Sequence, residues 1–135
     1  YYTGRAEASG FAVADHAVAG RVAEALETLR WSLATGVPPV LVVSALAQGV
    51  RAIGRVASAP SGMRAGDLAR ELGMPPWKVD RVRQQTRSWS PDGVARALRA
   101  LAEADAAVKG GGGDPAYALE RAVVTVARAA RRGRG

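Results

Sequence analysis

Asp105 and Lys109 sit one helical turn apart and are the pair in this sequence whose types and spacing could do chemistry. Over residues 91–109, Val94, Leu98, Leu101, Asp105 and Val108 recur at helical spacing and fall on one stripe. That stripe places Asp105 in the middle of the apolar face. A carboxylate there is either a working acid or a partnered one, because burying it alone is costly. Work as a catalytic or ligand-binding acid calls for a second carboxylate or a histidine at a useful spacing, and the sequence supplies neither. Lys109 follows Asp105 in the order that suits a helix and can reach back to it. The pair therefore reads as an internal ion pair that fixes how its helix docks.

Other chemistry finds no residues to carry it. The glycine run 110–113 follows a helix and lacks the lysine and hydroxyl of a phosphate-binding loop. There is no G-x-S-x-G and no H-E-x-x-H, and the single histidine, His16, has no partner nearby in sequence and reads as a surface or boundary residue. Cysteine is absent, which removes disulfides, thiolate metal sites and a cysteine nucleophile, and fits a reducing cytoplasm. No catalytic residue, cofactor or metal site is expected in this stretch of chain.

The elements that must position the charged pair are helices throughout. A chain of 135 residues can bury about two-thirds of its unfolded surface, enough for one helical core. Residues 1–10, YYTGRAEASG, form a polar lead without periodicity, or the remnant of a preceding domain; Tyr1 in place of methionine suggests a piece of something longer. Phe11, Val13, Ala14 and Ala17 give a short helix ending near Gly20, and a second helix over 21–35 carries Val22, Leu26, Leu29 and Leu33 on one face. Trp31 points the opposite way, either under the preceding helix or toward another subunit. Pro38 and Pro39 open the longest helix, to about residue 58. Its Val42, Val43, Leu46, Val50, Ile53 and Ala57 oppose a polar row of Ser44, Gln48, Arg51 and Arg55. Those arginines are a solvated face, a reach across to Asp105, or a pairing with acids on a neighbouring subunit.

After the connector 59–64, a short helix over 66–72, a break at 73–75 and a basic helix over 76–87 draw a helix-turn-helix outline. Ser90 caps and Pro91 opens the helix that carries Asp105. Asp114 and Pro115 begin the last helix, and a basic tail, 129–135, closes the chain. The expectation is an all-α bundle of six to seven helices with a helix-turn-helix-like element, its domain spanning 11–128. The longest apolar run, 37–47, is too short to span a bilayer and is broken by prolines, so no membrane association is expected.

The run LAEADAAVKGGGGDPAYALE, with an L-x-x-x-D-x-x-x-K-G core followed by D-P and another apolar helix, resembles the C-terminal domain of the delta subunit of the bacterial DNA polymerase III clamp loader. Upstream segments agree in order and spacing: FAVADHAVAGRVAEALETLRWSLATGVPP, the long helix with Arg51 and Arg55, and LARELGMPPWKVDRV. The likeness covers about residues 11–128. It implies a collar domain without catalysis of its own, in a non-catalytic subunit of a DNA-directed DNA polymerase holoenzyme. It also implies assembly with tau/gamma-type and delta-prime-type loader subunits in the cytoplasm. The sliding clamp and primed DNA are then met through the whole complex, and clamp-opening residues lie in an AAA+-like domain outside these residues. Trp31, Arg51 and Arg55 are the candidate interface residues.

A second reading comes from charge. A net charge of +7 attracts phosphates whatever the fold. Lys78, Arg81, Arg83 and Arg87 lie on the second helix of the helix-turn-helix outline, where a DNA reader carries its contacts. Against this, Pro75, Pro76 and Trp77 make a poor tip for a groove, Val79, Val82 and Thr86 a thin seat, and Asp105 and Lys109 go unexplained. Trp77 and Trp89 read as core or boundary anchors.

Overall fold

A computed structural model describes residues 2–110 and 112–132 of the chain. Tyr1 of the lead, Gly111 of the glycine run and residues 133–135 of the basic tail lie outside the described residues. Seven helices follow one another: α1 Tyr2–Val18, α2 Val22–Ala34, α3 Pro39–Ala57, α4 Ala65–Leu72, α5 Pro76–Thr86, α6 Pro91–Val108 and α7 Pro115–Arg132. No strand occurs among the described residues, and the fold is the all-α bundle expected from the sequence.

The central helix is α3, which packs against α1, α6, α5 and α7. Val42, Val43, Leu46, Val50 and Ile53 are buried along it, the helical spacing of an apolar stripe, while Ala57, expected on the same face, is exposed at its end. By length and composition α3 is also apolar enough to cross a membrane, but in this fold its apolar side is the seam of the bundle. Around it, α2 packs on α1 and α7, α6 on α7, and α4 on α5.

The lead differs from its sequence reading. α1 starts at Tyr2, and Ala6 and Gly10 continue the buried row of Val13, Ala14, Ala17 and Val18. Their spacing is helical, but alanine and glycine carry little hydropathy, so no periodicity stood out. Smallness is what the site needs: a Cβ on Gly10 would lie 3.2 Å from the Leu41 carbonyl oxygen of α3. The tail differs likewise. α7 runs to Arg132, and Ala129 and Ala130 are buried.

The helix ends follow local rules. Ser90 accepts a hydrogen bond from the Gly93 N–H at 3.0 Å, with Pro91 next. The Asp114 carboxylate accepts from the Ala116 N–H at 2.9 Å. Gly73, at φ 68°, ends α4 in the left-handed region open to glycine. Trp89 is buried, and its Nε1–H donates to the Val18 carbonyl at 2.9 Å, tying the α5–α6 junction to the end of α1. Trp77 is not an anchor: 64% of it is exposed.

Candidate functional site

Asp105 lies at the rim of the core, not in the middle of a buried face. The buried residues of α6 are Gly93, Ala97, Leu101 and Ala104, whereas Val94, Leu98, Asp105 and Val108 are half-buried. The helix is rotated because small residues let it approach α7 closely; a Cβ on Gly93 would lie 3.4 Å from the Ala129 carbonyl oxygen. Lys109 Nζ donates to Asp105 Oδ2 at 2.9 Å, and both side chains remain substantially solvated.

Beside this pair runs a groove of about 480 Å³ between α3 and α6. Val40, Ser44, Ala47 and Arg51 line it from α3, and Leu98, Ala102, Asp105 and Lys109 from α6, with Val43 and Leu101 beneath. The two helices run antiparallel, since Gly54 near the end of α3 faces Val94 near the start of α6. That pairing sets Arg51 level with Leu98, and Val40 level with Lys109. Arg51 and Asp105 therefore line one groove at different heights, about 10 Å apart along the axis, and no ion pair joins them. Arg51 and Arg55 are exposed and make no ion pair or hydrogen bond among the described residues.

Trp31 does not share that face. It is 61% exposed on α2, on the flank where Arg30 Nη2 donates to Glu120 Oε1 of α7 at 2.8 Å. The hydrogen bond it donates to Glu120, and then the Glu120 charge, raise the Arg30 guanidinium above its already high ordinary value. A raised cation contributes fully below its unfolded pKa and is lost only as pH rises through the folded one, so Arg30 adds no pH dependence near neutrality. Exposed Tyr117, under the Arg121 guanidinium at 5.8 Å, lies one turn before Glu120 on α7. Of the three candidate interface residues, Arg51 lines the groove and Trp31 does not.

The basic residues of α5 are largely engaged within the chain. Lys78 Nζ lies 6.0 Å from the centre of the Phe11 ring, Arg81 pairs with Asp15 at 3.2 Å, and Arg83 donates to the Met63 carbonyl. Arg87 alone of the four makes no such contact among the described residues. The partners come from α1 and from the 59–64 connector, distant in sequence, which is why spacing on α5 could not foretell them. Exposed Val40, Phe11 and Tyr117 were likewise missed, because a periodicity that marks apolar residues as core cannot show which helix face lacks a neighbour. His16 is half-buried and its Nδ1 has no hydrogen-bond partner. No cluster of metal-ligating side chains occurs among the described residues.

A family profile described as DNA polymerase III delta subunit, C-terminal domain, matches residues 7–126. The chain belongs to that family. The match runs through all seven helices and is not confined to the segment of Asp105 and Lys109. Among solved structures, the Bacillus subtilis DNA clamp loader delta protein is similar at a TM-score of 0.76 and 21% identity, over 91% of this chain and 37% of that one. This likeness supports the fold of the delta C-terminal domain, of whose solved relative the chain spans little more than a third. Comparison with curated proteins gives no significant match.

Proposed function

We propose that this delta C-terminal domain is an assembly module, the collar piece of a clamp-loader delta subunit, which packs against tau/gamma-type and delta-prime-type subunits. In this reading the domain catalyses nothing. It holds the rest of its subunit in register, so that ATP use elsewhere in a cytoplasmic complex is coupled to loading the sliding clamp on primed DNA. The observation that carries the reading is the outer face of α3: Arg51 and Arg55 stand unpaired among the described residues, beside an open, partly apolar groove, in a chain of the delta C-terminal family. Guanidinium groups at the edge of apolar surface suit a partner's carboxylates, and arginine is enriched where subunits meet.

The test is co-purification of the intact gene product carrying these residues with purified tau/gamma-type and delta-prime-type subunits from the same source, at low and high salt. A complex that survives high salt is expected. Recovery of DNA alone, lost as salt rises, with no loader subunit retained, overturns the reading in favour of a helix-turn-helix DNA binder.

A further inference from the structure

We infer that the groove between α3 and α6 seats a single helix from a neighbouring loader subunit, about three turns long, with an apolar stripe facing the groove and a carboxylate facing Arg51. This rests on the assembly reading and names the chemistry of the partner at one face.

The shape of the groove calls for a helix. Its α3 wall is Val40, Ser44, Ala47 and Arg51, and its α6 wall is Leu98, Ala102, Asp105 and Lys109. Each wall steps by three or four residues, the spacing that forms holes for the knobs of a third helix. Ser44, Ala47 and Ala102 are small and keep the middle of both walls low, which allows a close backbone approach. From Val40 to Arg51 the groove runs about 16 Å, or about three helical turns.

Charge sets the direction. Asp105 is held by Lys109, so one end of the groove is internally neutralised and does not repel an acidic partner. At the other end Arg51 is unpaired, and Arg55 adds a second unpaired cation one turn further on. A seated helix with its acid at the Arg51 end and apolar residues toward Val40 at the opposite end meets both halves.

Ser44→Trp fills the groove and Arg51→Glu reverses its free charge. Both positions are exposed, so the fold should persist, as circular dichroism would verify. In the intact subunit mixed with purified loader partners, each change is expected to weaken association by about thirtyfold or more, the loss typical of a desolvated charge pair or a blocked docking site. Arg87→Glu, exposed and outside the groove, should leave association within about threefold. Recovery of binding by Arg51→Glu when one partner acid is changed to arginine supports the assignment directly. If the unaltered subunit binds and both groove variants bind equally well, the groove assignment is wrong and the assembly reading stands. If the unaltered subunit binds no loader partner, both fall together.

Discussion

Adjacent positions on α6 separate a rim from a core. Asp105→Ala removes an ion pair whose members are both well solvated, so it should cost less than about 1 kcal/mol. High salt should shrink even that. Ala104→Asp, one residue away at a buried site, leaves a carboxylate without a partner and should cost at least about 3 kcal/mol. Urea denaturation of both variants at two salt concentrations measures the contrast, and equal costs would return Asp105 to the core. The sequence made Asp105 and Lys109 legible as neighbours, because helical spacing is purely local. It misplaced their depth because Val94 and Leu98 outweigh glycine and alanine in any hydropathy pattern. Close helix contact follows a different rule, in which the small residues Gly93 and Ala104 fit against α7.

The α4–α5 element shows the same division between local and distant causes. Its outline was readable from Gly73, Pro75 and Pro76, and the structure places both helices within a residue of expectation. Its purpose was not, because the groups that occupy Lys78, Arg81 and Arg83 come from Phe11, Asp15 and Met63. A recognition helix keeps such side chains free for base edges, whereas here three of them are engaged by groups of their own bundle at its surface. Binding of the chain to DNA should therefore be electrostatic only. By fluorescence anisotropy, two duplexes of equal length and unrelated sequence should bind within about twofold of each other, both weakening steeply as salt rises. A sequence preference of tenfold or more, persisting in salt, would make α5 a reader after all.

At the scale of the whole molecule, the last turn of α7 closes the bundle where a loose basic tail was expected. Charge marked RAARRGRG as solvated, since four of its eight residues are arginine, and that masked the two alanines packed between them. Ala129 and Ala130 are buried. The Ala129 carbonyl approaches Gly93 at the start of α6, and Arg131 crosses Gly20, which at φ 79° takes the left-handed turn out of α1. The final turn thus touches both the α1–α2 corner and the opening of α6, and removing it should loosen more than its own helix. Ending the chain after Arg128 removes two buried methyl groups, each worth about 0.8 kcal/mol, and exposes the apolar surface they cover. A loss of about 2 kcal/mol, or about 6 °C in Tm, is the expected cost by calorimetry. Ala130→Ser in the full chain should fall between the two, because it keeps the helix and adds one buried hydroxyl. A truncated chain that melts within about 1 °C of the original would mean that the bundle closes without this turn and that α7 ends, for stability, at Arg128.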